Sequence, residues 1–163
     1  MGKLYSICSN AMDRLNKVIG YVLALFLSVM VAVIFYQVFS RFVMGSSTSW
    51  SEELARILML YIILLGAAIA IRRGQLLAVE VLPDILKGNA KRNLSIITNV
   101  FSALFCAILV FYGYGLALNV SSQTLPGLGV SMFWMYFALP FGGLLILVNA
   151  VFNIWSIIRE VKK

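Results

Sequence analysis

Between Lys17 and Arg41 the chain runs 23 residues, Val18 to Ser40, without one charged side chain. At 1.5 Å per residue, a helix over that run is about 35 Å long, enough to cross a hydrocarbon core of roughly 30 Å with some tilt. Two further uncharged runs, Leu94 to Val120 and Val130 to Ile158, are longer still, so tilt or irregular ends must absorb the excess. A water-soluble chain of 163 residues could not bury this much apolar surface. With 62% hydrophobic and 12% charged residues, the chain has lipid as its main solvent.

A fourth run is shorter. Its strictly apolar part, Ile57 to Ile71, covers only about 22 Å as a helix and cannot span unaided. Starting the helix near Ser49 or Ser51, with that serine as N-cap and Glu52 and Glu53 in the first turn, supplies the missing length and places the carboxylates where the helix dipole favours them. Glu52, Glu53 and Arg56 then lie at the membrane boundary.

The expected fold is all-α: a single polytopic membrane domain over residues 1–163. Its transmembrane helices fall at about 18–40, 51–71, 94–120 and 130–158, with a loop over 72–93. Eleven Lys and Arg fall on the side of the termini and that loop, against two, Arg41 and Arg56, on the other. The positive-inside rule therefore puts the N- and C-termini in the cytoplasm. The 72–93 loop mixes Leu76, Leu77, Val79, Val81, Leu82, Ile85 and Leu86 with Glu80, Asp84 and Lys87, a pattern that suits a short interfacial helix. The N-terminus lacks a short apolar core followed by a small-residue cleavage site, so the first helix reads as an uncleaved anchor. Cys8 and Cys106 sit at different depths and read as free thiols.

The charge of +7 is not gathered into a basic, aromatic-interleaved block, which argues against nucleic acid as a partner. The absence of histidine removes the usual general base and metal ligand, and no phosphate-binding glycine loop occurs. No cofactor is expected, and an enzyme is not. An ion-coupled carrier needs an ionisable side chain facing the bundle interior, and none lies mid-span. Gln37, Asn99, Asn119 and Asn149 are read as interhelical hydrogen-bond formers rather than path-lining groups. Small residues recur four apart at Ala24, Ser28 and Ala32, Gly66 and Ala70, Gly113 and Ala117, and Ala138 and Gly142. Each pair permits close helix approach, within the chain or to another subunit. Pro140, with Gly142 and Gly143 after it, should kink or loosen the last helix.

The densest charged segment is Trp50-Ser51-Glu52-Glu53-Leu54-Ala55-Arg56. Arg56 lies three residues from Glu53 and four from Glu52, so either can pair with it. Arg41 is the expected partner for the carboxylate left over, and Trp50 fits an aromatic belt at that level. Arg72 and Arg73 close the same helix at its other end, where snorkelling to lipid phosphates explains them.

These segments also carry a resemblance. SRFVMG around Arg41, WSEELAR at 50–56, Leu65-Gly66-Ala67-Ala68, RRG at 72–74, Val79-Glu80-Val81-Leu82 and LGVSMFWMYFALPFG at 128–142 follow the order and spacing of the small membrane subunit of tripartite ATP-independent periplasmic (TRAP) transporters, the DctQ type. One departure is Leu76 or Leu77 where many members have histidine. The resemblance implies a large membrane subunit that holds substrate and sodium, and a soluble periplasmic binding protein that delivers an organic acid of the dicarboxylate or sialic acid type. It implies a bacterial inner-membrane location and a scaffolding role. Arg41, Trp50, Glu52, Glu53 and Arg56 at one face, and Arg72, Arg73 and Glu80 at the other, become the candidate interface or anchoring residues. The competing reading is a self-contained, homo-oligomeric small carrier or exporter, which would require a buried ionisable residue.

Overall fold

The computed structural model describes residues 2–43, 45, 48–73 and 89–160. They form helices α1 (Gly2–Val43), α2 (Ser49–Arg73), α3 (Asn89–Asn119), the single turn α4 (Phe133–Tyr136) and α5 (Ala138–Glu160). Four stretches are long and apolar enough to cross a membrane: Cys8–Val43, Ser49–Arg73, Ile96–Asn119 and Phe133–Ile157. Helix α1 continues well before Val18, which brings Asp13 and Asn16 onto the same rod as the first apolar run. Helix α2 starts at Ser49, so the capping position falls to Thr48, ahead of both Ser49 and Ser51, the serines expected there. Glu80 and the proposed interfacial helix lie outside the described residues.

Helix α1 packs on α2, α2 on α5, and α5 on α3, so the lateral order is α1, α2, α5, α3. Contacts fix the directions. Gly66 meets Leu23, Gly20 meets Ile69, Phe26 meets Tyr61 and Tyr36 meets Trp50, so α1 and α2 are antiparallel. Along α2 and α5 the partners rise together, from Leu64 with Gly142 to Ala68 with Asn149 and Ile71 with Asn153, so these two run parallel. The start of α1 and the end of α5 therefore lie at one end of the array, the terminal end. The α1–α2 turn and the 120–132 segment lie at the other, the loop end.

Lipid offers little hydrophobic drive for helices to associate, so packing and hydrogen bonds must hold the array. Helix α5 achieves close packing on both sides with two consecutive glycines. A Cβ on Gly142 would overlap Leu64 of α2, and one on Gly143 would lie 2.9 Å from Leu109 and 3.1 Å from Val110 of α3. Gly113 of α3 receives Leu139 and Pro140 at 3.0 and 3.3 Å in the same way. Around these contacts Ala68, Ile71, Cys106, Ile146 and Ala150 form the buried core. By contrast Ala24, Ser28 and Ala32 of α1 face outward, so that small-residue stripe is not used for packing within the chain. The outer faces of α1 and α3 are apolar and exposed, with Phe35, Phe42, Phe101, Phe105 and Phe111 all more than 60% accessible.

The irregularity expected at Pro140 takes the form of a break one turn earlier. Proline has no N–H to give the Tyr136 carbonyl four residues back, and the helix is interrupted at Phe137 between α4 and α5. Stacked rings of Phe133, Phe137 and Phe141 bridge the break, and the Tyr61 hydroxyl donates to the Trp134 carbonyl at 2.9 Å. Gly142→Val should cost about 1–3 kcal/mol by forcing α5 from α2, read as a lower unfolding midpoint in detergent. Gly115→Ala, where an added Cβ meets nothing within 4 Å, should match or slightly raise the wild-type midpoint.

Candidate functional site

At the loop end, Ser51 is fully buried; its hydroxyl donates to the Thr48 carbonyl at 2.7 Å and lies 2.9 Å from the Thr48 hydroxyl. This fixes the entry to α2 and aims the next two side chains differently. Glu52 points to solvent and meets Arg56 at 3.5 Å, with both side chains more than half exposed. Such an i,i+4 pair contributes about 0.3–0.5 kcal/mol at most. Glu53 turns inward instead. Its Oε1 accepts the Gly127 N–H at 3.0 Å and its Oε2 the Leu128 N–H at 2.8 Å, charge-assisted bonds roughly twice as strong as neutral ones. The carboxylate left over from Arg56 is thus taken by backbone amides, not by Arg41, which is exposed and makes no ion pair among the described residues. Trp50 packs on Tyr36 at 5.8 Å between ring centroids.

Gly127 allows this arrangement. A Cβ there would sit 2.7 Å from the Trp50 nitrogen, 2.8 Å from the Ser49 carbonyl carbon and 2.9 Å from Glu53 Oε2. Only glycine lets the segment lie against the first turn of α2.

At the terminal end Arg72 is drawn inward rather than toward solvent. Its Nη2 and Nε donate to Asp13 Oδ1 at 2.8 and 3.3 Å, and Nη1 donates to Asn153 Oδ1 at 3.3 Å. The guanidinium carbon lies 4.6 Å from the centre of the Phe152 ring. With 16% of its side chain exposed, Arg72 links α1, α2 and α5, whereas Arg73 is exposed. Deeper in, Asn149, 1% exposed, exchanges two hydrogen bonds with Asn16 at 2.9 and 3.1 Å and donates to the Ala68 carbonyl at 3.1 Å. Asn153 donates to the Ile71 carbonyl at 2.6 Å, satisfying one of the carbonyls that a helix C-terminus leaves open.

The two ends are polar pins, with their donors and acceptors matched to one another. Among the described residues no buried side-chain nitrogen or oxygen lacks a partner, and no cluster of three metal-ligating side chains occurs. An open apolar groove of about 760 Å³ runs along α3 past Phe111, Tyr112, Tyr114, Gly115 and Asn119. The structure brings Glu53 together with the 127–128 backbone, and Arg72 with Asp13, Asn16's neighbour on α1. It does not gather Arg41, Trp50, Glu52 and Arg56 into one network. Asp13, Asn16 and Asn153 were not singled out by sequence reasoning, although Asp13 is the sole acid before Glu52 and Asn149 and Asn153 share a helix face. Asn16→Leu and Asn149→Leu should each cost about 1–3 kcal/mol, because each leaves the other side chain's carboxamide oxygen without its donor in a buried site. The double variant should cost clearly less than the sum, as read from a double-mutant cycle of unfolding in detergent.

Residues 30–160 match the family of tripartite ATP-independent periplasmic transporters, DctQ component. The chain is 29% identical over 133 residues to the sialic acid TRAP transporter small permease protein SiaQ of Vibrio cholerae, covering 82% of this chain and 77% of that one. It is 30% identical over 148 residues to the ectoine TRAP transporter small permease protein TeaB of Halomonas elongata, covering 87% and 77%. It is also 31% identical over 112 residues to the sialic acid TRAP transporter permease protein SiaT of Haemophilus influenzae, covering 66% of this chain but 18% of that much longer protein. With the match spanning all four apolar helices in part or whole, this multi-pass membrane protein belongs to the DctQ-component family of TRAP transporters.

Proposed function

We propose that this small TRAP subunit braces a large, sodium-coupled permease subunit in the bacterial inner membrane, and that the partner carries an organic acid delivered by a periplasmic binding protein. The observation that carries the reading is the open order of the helices: α1, α2, α5, α3, with the flanking helices each packed on one neighbour. Among the described residues such an array encloses no path across a membrane. It offers broad apolar faces to a partner, and its inner polar groups are committed to holding its own helices together. The alignment of this chain with 18% of a longer permease protein fits a partner that is itself a large membrane protein. Relatives named for sialic acid and ectoine handle carboxylated solutes, which supports an organic acid as cargo, of the dicarboxylate or sialic acid type. In this reading the terminal end, with eleven of thirteen Lys and Arg, is cytoplasmic. The loop end faces the periplasm, where it helps receive the binding protein, with Arg41, Trp50, Glu52 and Arg56 at its rim.

Co-expressed with the large subunit and purified in mild detergent, the chain should elute as a one-to-one complex, and alone in liposomes it should transport nothing. Coupled uptake by the chain alone would overturn the reading. For orientation, a membrane-impermeant maleimide added outside spheroplasts should label Gln123→Cys, and should reach Cys8 only after lysis. Labelling of Cys8 in intact spheroplasts would invert the topology.

A further inference from the structure

The connection between α3 and α4, residues 120–132, is longer than the 2–8 residues usual between packed helices, yet it is tightly built. The Leu125 N–H donates to the Val130 carbonyl at 2.8 Å, Gly129 to Leu125 at 2.7 Å and Met132 to Gln123 at 2.8 Å. The Ser131 hydroxyl donates to the Ser121 carbonyl at 2.7 Å, and Leu125 is buried beneath as an apolar anchor. Gly129, at φ +67°, makes the reversal. Above this frame Ser121, Ser122, Gln123 and Thr124 are exposed, a rim with hydrogen-bonding groups and no charge. These hydroxyl and amide groups, beside the charged Arg41, Glu52 and Arg56 of the same end, suit hydrogen bonding to a protein surface better than binding an ion.

Among the described residues Glu53 is the charged side chain bonded to this loop, through the Gly127 and Leu128 amides. Both amides face α2. We infer that Glu53 is a positioning residue: its carboxylate fixes the 120–132 loop in one shape, so that the uncharged rim meets the soluble binding protein preformed. This rests on the reading of the loop end as the periplasmic face of a TRAP subunit. Two amides held by one carboxylate leave the loop little freedom to lose on docking, and ordering a loop at the moment of contact weakens binding. Arg56, one turn along α2, cannot substitute, since its partner is Glu52 and its guanidinium carries the wrong sign for amide donors.

The test uses the whole complex of small and large subunits in proteoliposomes, with the co-encoded binding protein loaded with its ligand and titrated as the varied component. In Glu53→Gln one amide N–H faces a carboxamide N–H instead of an oxygen, and Gly127→Ala pushes the loop off the first turn of α2, because its Cβ would lie 2.7 Å from the Trp50 nitrogen and 2.9 Å from Glu53 Oε2, while the carboxylate keeps its charge. Each should raise the half-saturating concentration of binding protein roughly three- to tenfold, with maximal uptake and the yield of the two-subunit complex unchanged. Gln123→Lys, on the exposed rim and away from the latch, should raise it as well. Half-saturation within twofold of wild type in Glu53→Gln and Gly127→Ala would overturn the inference, and so would a fall in maximal uptake at unchanged half-saturation. Wild-type uptake that needs no binding protein would instead bring down the functional reading on which the inference stands.

Discussion

Asn149 is a carboxamide with no access to water, and three helices meet on it. In hydrocarbon the separation of helices exposes no more apolar surface to water than their association does, so burial alone cannot specify which faces meet. A buried amide can, because its donors and acceptor are satisfied at one register only and an unmet group is costly. Asn16 of α1 and the Ala68 carbonyl of α2 provide that register, and Asn153 and Arg72 repeat it one turn later. The glycine contacts at 142 and 143 go with it: with α5 set against α2 at Asn149, residue 142 lies against Leu64 at a distance that only Gly accommodates.

The same logic sets a division between the interior and the outside of the array. The interhelical hydrogen bonds and ion pair described above link α1, α2 and α5, or link α2 to the 127–128 segment and α4. None among those described joins α3 to α1. Helix α3 packs closely on α5 through Gly113 and Gly143. The consequence is a stiff central pair, α2 and α5, flanked by two helices whose outer faces are available. That build suits the proposed bracing of a larger neighbour.

Much of this was legible in the residues. Four uncharged runs fix four crossings, because no other structure satisfies so many backbone groups in lipid. The shortness of the Ile57–Ile71 run forces Glu52 and Glu53 to the start of α2, where Glu52 falls in the first turn and Glu53 just beyond it. What could not be read was the choice between those two carboxylates. Helical spacing makes both neighbours of Arg56, and only the fold brings Gly127 and Leu128, over seventy residues away, to Glu53. Arg72 was misjudged for a related reason. At a helix end near lipid phosphates snorkelling is the default, and the competing partner, Asp13, lies in a segment with no apolar periodicity to mark it as helix. The small-residue spacings divided in the same way: those at 113, 138 and 142 pack within the chain, while 24, 28 and 32 face out, a distinction that spacing does not contain.

The contrast between the neighbouring carboxylates bears on why one short segment carries so much of the resemblance. A helix N-terminus tolerates acids generally, because its free N–H groups and dipole favour them, so the presence of acids in the first turn of α2 requires no partner at all. Two backbone amides delivered by a distant loop are a different matter. They demand a carboxylate at that position and glycine at the point of closest approach, since Gly127 lies against Trp50 and Ser49 with no room for a Cβ. The segments WSEELAR and LPGLG therefore constrain each other through geometry, and the covering of a helix end becomes a means of shaping the loop that covers it. Glu52 and Arg56, exposed and weakly paired, are under no such restraint, and their charges remain free to meet a surface outside this chain.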